Sequence, residues 1–172
     1  MAKRIGVLAV QGAFAEHEAM LGALGAECHE MRNRTDLEEK PDALVLPGGE
    51  STVQRKILIE SGMLAPIKSW IKEGMPVLAT CAGLILLAEH LSNDARTCFK
   101  TLPVTVRRNA YGHQLGSFVT EAEVRHIGTM RQNFIRAPYI ETVGPGVEVL
   151  SETDGHITAV RYGQQLALAL AQ

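Results

Sequence analysis

Cys81 sits where a side chain can act as a nucleophile. It follows the apolar run 75–80 and precedes Ala82-Gly83-Leu84-Ile85-Leu86-Leu87, so the segment reads as strand, tight turn and helix. A thiol held at such a turn projects from the strand end. The next helix points N–H groups and partial positive charge at the sulfur, which favours thiolate. Gly83 leaves room for that helix close behind the turn, as glycine does in strand–turn–helix nucleophile elbows. The competing reading is packing, the usual role of an isolated Cys in an apolar segment and the one that fits Cys28 and Cys98. The junction and the glycine favour the nucleophile at Cys81.

Two other loops carry matching chemistry. Pro47-Gly48-Gly49 closes an apolar run and leads into Glu50-Ser51-Thr52, a good helix start. Its glycine N–H groups are free to form an oxyanion hole beside a nucleophile. Seen alone, Gly-Gly after a strand is usually only a turn. Gln11-Gly12 ends the first apolar run in the same way. In an open α/β sheet, ligands bind beyond the carboxyl ends of the strands, so three such loops together predict one site.

The elements that would position these loops alternate through the first half. Strands are expected at 4–10, 27–31, 42–46 and 77–80, and helices at 14–24, 51–61, 63–72 and 82–90. Such alternation implies a mostly parallel sheet flanked by helices. The second half predicts short strands at 102–107, 116–124, 133–137, 147–151, 156–161 and 165–170, with a hairpin turn at Asp154-Gly155. The expected fold class is α/β with antiparallel strands in the second half, built as one domain over residues 1–172.

Composition narrows the function. A net charge of -2 excludes the electrostatic footprint of a nucleic-acid or anionic-membrane binder. The 3 cysteines are widely spaced and lack a C-x-x-C, which suits a reducing compartment and excludes a disulfide framework or a cysteine zinc site. No run is long enough for a membrane span, and the apolar run after Met1-Ala2-Lys3-Arg4 reads as a first strand rather than a signal. A cytoplasmic protein is expected.

Six blocks carry a wider pattern: Gly6 through Gly12 with Glu16-His17; Leu46 through Thr52; Ala79 through Leu84; Arg108-Asn109-Ala110-Tyr111-Gly112 with Gln114 and Ser117-Phe118; Phe134-Ile135-Arg136-Ala137-Pro138; and Val149-Leu150 through Arg161. In this order they resemble the class I, triad-type glutamine amidotransferases, and among those the glutaminase subunits of pyridoxal 5′-phosphate synthases. The resemblance implies a flavodoxin-like fold and hydrolysis of L-glutamine to glutamate and ammonia. Cys81 would attack the side-chain amide, giving a glutamyl thioester that water opens. Backbone N–H groups at Gly49 and Ala82 would hold the oxyanion, and Gly49, Glu50, Ser51, Arg108, Ile135 and Arg136 would bind glutamine. Gln11, Glu16 and His17 would lie at the docking surface for a synthase subunit that combines the ammonia with ribose 5-phosphate and glyceraldehyde 3-phosphate. No cofactor and no metal is implied.

The chain departs from this pattern at one end. The family's last strand runs into Ser-Phe-His-Pro-Glu-Leu, which supplies the triad His and Glu. Aligned on Gln164-Gln165-Leu166-Ala167, the histidine position holds Ala171 and the glutamate position lies beyond the sequence. The domain is therefore expected to be truncated at the C-terminus, without the family's C-terminal helix. His17, His29, His90, His113, His126 and His156 read as structural histidines rather than replacement bases. The expected product is a weakly active or inactive glutaminase; the alternative is a catalytically silent docking partner of the synthase subunit. Another amidotransferase pathway is disfavoured by the 134–138 block. Uncovered apolar surface is expected near Leu166, Leu168 and Leu170. His113 and Gly116 stand where the family has Arg and Asp, which puts local contacts there in question.

Overall fold

In the computed structural model, residues 2–108, 117–135 and 138–169 are described. The first half alternates as β1 (Arg4–Leu8), α1 (Phe14–Ala23), β2 (Glu27–Met31), β3 (Ala43–Leu46), α2 (Ser51–Ser61), α3 (Leu64–Lys72), β4 (Val77–Thr80) and α4 (Ala82–Leu87). Local chemistry sets these bounds. The Glu50 side chain caps α2 by accepting from the Thr52 N–H, and Gly62 ends that helix in the left-handed conformation, with φ 77°. The second half supplies β5 (Ala88–Leu91), β6 (Leu102–Arg107), β7 (Ser117–Val124), β8 (Gly128–Ile135), β9 (Tyr139–Val143), β10 (Glu148–Thr153), β11 (His156–Tyr162) and β12 (Gln165–Leu168).

One sheet of 10 strands runs β2-β1-β3-β4-β12-β11-β9-β6-β5, with β10 on β11, while β7 and β8 form a separate ribbon. From β2 through β12 neighbouring strands are parallel. The links β12–β11, β11–β9 and β9–β6 are antiparallel. The last-arriving strand, β12, is therefore central, wedged between the elbow strand β4 and the antiparallel half.

The pleat sends alternate residues to opposite faces. Leu44, Leu46, Val77, Ala79 and Ala167 join the main core with Leu58 of α2, Ile67 and Ile71 of α3, and Leu84 and Leu87 of α4. Each fully buried aliphatic side chain there contributes about 1.5–3 kcal/mol of transfer free energy. Leu168 and Ala159 face the other way and meet Val124 and Leu150, with Leu78 and Leu166 half-buried beside them. A groove of about 410 Å³ opens on this second face, lined by Ile5, Leu21, Val45, Leu78 and Leu166 among others. The apolar opening expected around β12 is present at Leu166; Leu168 is buried, and Leu170 lies outside the described residues.

Three elements differ from expectation. The helix expected over 82–90 stops at Leu87, because Ala88–Leu91 pairs with β6 as β5. The strand expected over 133–137 is the end of the longer β8, whose partner is β7 along its whole length. Strand β9, beginning just after Pro138, has no counterpart in the expected elements. The Asp154-Gly155 turn does form: Thr153 faces His156, and both turn residues have positive φ, 51° and 79°. That is the geometry a tight primed hairpin turn demands.

Candidate active site

Cys81 occupies the turn between β4 and α4 with φ 50° and ψ -105°, a strained conformation for a residue with a Cβ. The surrounding structure holds it there. Its N–H donates to the Leu168 carbonyl of β12 at 2.8 Å, and its carbonyl accepts from Ile85 at 3.3 Å. Gly83 allows the fit behind it, since a Cβ at that position would overlap the Leu46 carbonyl oxygen at the end of β3. The elbow is thus pinned by β12 on one side and by β3 on the other.

The surroundings of the thiol oppose the helix-stabilised thiolate expected there. Burial pushes the Cys81 thiol above its ordinary value, the Ala82 N–H pulls it down, and the Glu50 carboxylate pushes it up again. Burial is the largest of the three influences, and the single N–H at the start of α4 does not offset it. Cys98, buried in the main core, is pushed up to about 12. The Ala82 N–H nevertheless faces the sulfur, where it can serve a developing oxyanion.

The three strand-end loops meet here. The Ala13 N–H donates to the Gly48 carbonyl at 3.0 Å. The Glu50 N–H donates to Gln11 Oε1 at 2.7 Å. Gln54, reaching down from α2, donates through Nε2 to the Gln11 carbonyl at 3.1 Å and to the Pro47 carbonyl at 3.2 Å. Gly49 has φ 155°, and a Cβ there would overlap Gln11 Oε1. Gly48 faces the nucleophile: a Cβ built on it would stand 3.5 Å from the Cys81 Cβ.

Beside this turn lies a charged pair. Arg108 Nη2 donates to Glu50 Oε1 at 3.2 Å, and Nη1 to Asp94 Oδ2 at 2.5 Å. Hydrogen bonds from Thr52 and the Arg108 guanidinium hold the Glu50 carboxyl below its ordinary range. Ser51 is buried at the start of α2. Of the residues expected at a docking surface, Glu16 is exposed and Gln11 is tied to Glu50. His17 does not belong on such a surface: it is buried, with Nε2 3.3 Å from Thr80 Oγ1, one residue before the nucleophile. Burial lowers its pKa, against a smaller upward pull from Glu16. The side chain of Ile135 is not among the described ones, and Arg136, Ala171, His113 and Gly116 lie outside the described residues. Sequence reasoning missed Gln54, Asn93 and Asp94, which no local sequence pattern marks.

A family model, the SNO glutamine amidotransferase family, matches residues 7–171. The chain belongs to that family. Its relatives include the pyridoxal 5′-phosphate synthase subunit PdxT of Desulfitobacterium hafniense (strain Y51), 57% identical over 96% of this chain and 83% of the relative. The protein of the same name from Methanocorpusculum labreanum is 51% identical over 96% of this chain and 87% of its own length. A crystal structure described as a glutamine amidotransferase superposes with a TM-score of 0.90 at 39% identity, covering 96% of this chain and 88% of that one. The mostly parallel sheet flanked by helices is accordingly the class I glutamine amidotransferase fold. In this SNO-family chain the elbow, the Gly48-Gly49 turn and the Glu50–Arg108 pair lie at one edge of that sheet. Among the described residues no helix is long and apolar enough to cross a membrane.

Proposed function

We propose that this amidotransferase is the glutaminase subunit of a pyridoxal 5′-phosphate synthase, working as a single cytoplasmic domain. The meeting of the Cys81 elbow, the Gly48-Gly49 turn and the Glu50–Arg108 pair, in a chain 57% identical to a named synthase subunit, carries the reading. The side-chain amide of L-glutamine lies against Cys81. Sulfur forms a bond to the amide carbon, and the Gly49 and Ala82 N–H groups receive the oxygen's negative charge. Collapse of that adduct breaks the C–N bond, ammonia leaves with the proton from the thiol, and water opens the thioester to glutamate. Arg108 offers paired donors to the α-carboxylate, and Glu50 accepts from the α-ammonium. Ile135 and Arg136 complete the glutamine site, and the ammonia passes to a synthase subunit docked near Gln11 and Glu16.

A thiol pushed up by burial must give its proton to a base before it attacks, and position 171 carries Ala where the family's histidine aligns. That pair of observations favours a second reading, a subunit that binds glutamine and docks without turnover. Loss of one triad member in related systems costs several orders of magnitude in rate. Glutamate release from L-glutamine is measured with and without the synthase subunit, beside Cys81→Ala and glutamine binding by calorimetry. Release abolished by Cys81→Ala supports the glutaminase. Binding without release supports the silent partner, and neither binding nor release overturns both.

A further inference from the structure

The geometry points to Asn93 and Asp94 as positioning residues that orient Arg108 for the carboxylate of an amino-acid substrate. This rests on the reading above, in which Arg108 receives the α-carboxylate of glutamine.

Both residues lie in the loop between β5 and β6 and hold different parts of the arginine. Asn93 clamps its backbone: Oδ1 accepts from the Arg108 N–H at 3.0 Å, and Nδ2 donates to the Arg108 carbonyl at 2.9 Å. Asp94 holds the guanidinium by the Nη1 corner. Asp94 is itself fixed, since Oδ1 accepts from the Arg96 backbone N–H at 2.9 Å and from Arg96 Nε at 3.0 Å, and Oδ2 accepts from Arg96 Nη2 at 2.7 Å. These bonds keep its carboxyl well below the usual carboxylate range.

The two carboxylates on Arg108 are unequal. The Asp94 side chain is 9% exposed and that of Arg108 14%, so their bridge is shielded; the Glu50 side chain is 50% exposed and its bond is longer. Competition from water and salt weakens the exposed pair far more than the shielded one. Asp94 therefore stays when a substrate arrives, and Glu50 is the partner that can turn to meet the α-ammonium.

A guanidinium presents two edges, and a carboxylate can take Nε and Nη2 side by side. Asp94 occupies the opposite corner. Nε is buried and has no acceptor among the described residues, and Nη2 holds only the exposed Glu50. Asp94 thus spends the one corner that a side-on carboxylate does not use.

The test reads Cys81 labelling, so it works whether or not the chain turns over glutamine. The chloromethyl ketone analogue of L-glutamine and chloroacetone share a warhead, but only the first carries the amino-acid head group. Their relative rates at Cys81, followed by mass spectrometry, report head-group recognition. We expect the wild-type chain to prefer the glutamine-shaped reagent, and Arg108→Ala to abolish the preference. Asp94→Asn should lower it about ten- to a hundredfold, the worth of a charge-assisted hydrogen bond, with the chloroacetone rate unchanged. Asp94→Glu should restore part of it, and Asn93→Ala should act in the same direction, which keeps the test open if Asp94→Asn does not fold. Preference lost in Arg108→Ala but intact in Asp94→Asn and Asn93→Ala overturns the inference alone. A wild-type chain with no preference overturns it together with the glutamine reading.

Discussion

Gln54 offers the sharpest test of how the site is held. It is fully buried, and both of its Nε2 bonds go to carbonyls of the two loops that flank the nucleophile. Gln54→Met keeps the shape and deletes the amide. Two carbonyls then lose a donor, at about 1–3 kcal/mol each when buried. Against this, Gln54 Oε1 has no partner among the described residues, so its removal relieves a desolvated acceptor of similar cost. The net expectation is a loss of about 1–3 kcal/mol. Gln54→Ala adds the lost burial of the Cγ methylene, about 0.8 kcal/mol before any cavity cost. For a chain of 172 residues each kcal/mol lowers Tm by about 2–4 °C. Calorimetric melting should therefore rank wild type above Met above Ala. Cys81 should lose preference for the glutamine-shaped chloroketone in both variants, as the 11–12 and 47–49 loops separate. A Met variant melting with the wild type, preference unchanged, would show that the amide bonds do not hold the loops together.

Other perturbations have equally definite outcomes. Gly83→Ala drives a Cβ into the Leu46 carbonyl, so we expect a loss of about 1–3 kcal/mol in urea unfolding and slower Cys81 labelling; an unperturbed variant would mean the elbow tolerates a wider gap. Iodoacetamide labelling of Cys81 should be slow at neutral pH and rise only above the ordinary thiol value of about 8.5, because burial outweighs the Ala82 N–H. Glu50→Gln should shift that rise to lower pH by removing a nearby negative charge, and a shift upward would contradict the assignment. For His17 burial disfavours the charged form in the folded chain, so the unfolded chain binds the proton first as pH falls below about 6.5. Stability should then decline with falling pH by at most about 1.4 kcal/mol per pH unit, and His17→Gln should flatten that slope in urea titrations from pH 7 to pH 5.

The parts that read clearly in the sequence are those governed by short-range rules. Glu50 caps α2, Gly62 ends it, and Asp154-Gly155 makes a hairpin, each because one residue type fits one local conformation. The elbow was legible for the same reason, since Thr80-Cys81-Ala82-Gly83 needs a small residue behind the turn. What failed to show was set at a distance. Ala88-Glu89-His90-Leu91 continues an apolar helical pattern and becomes a strand only because β6 passes alongside. Gln54 looks like an ordinary surface glutamine of an exposed helix until the Gln11 and Pro47 carbonyls close over it. Asp94 lies in an unremarkable polar loop, and its link to Arg108 spans 14 residues. The Cys81 thiol misled because helix polarity is visible in a sequence and burial is not.

The bond from Cys81 to Leu168 has a temporal meaning. The backbone of the nucleophile is completed by a strand about 90 residues further along the chain. At about 5–20 residues per second, ribosomal synthesis of that stretch takes roughly 4–18 s. During that interval the β4 edge that β12 covers has no strand to pair with, and Cys81 lacks the carbonyl that fixes its turn. The newborn chain therefore carries its thiol in an unformed elbow, and the turn that aims it is completed only when β12 takes its place in the middle of the sheet.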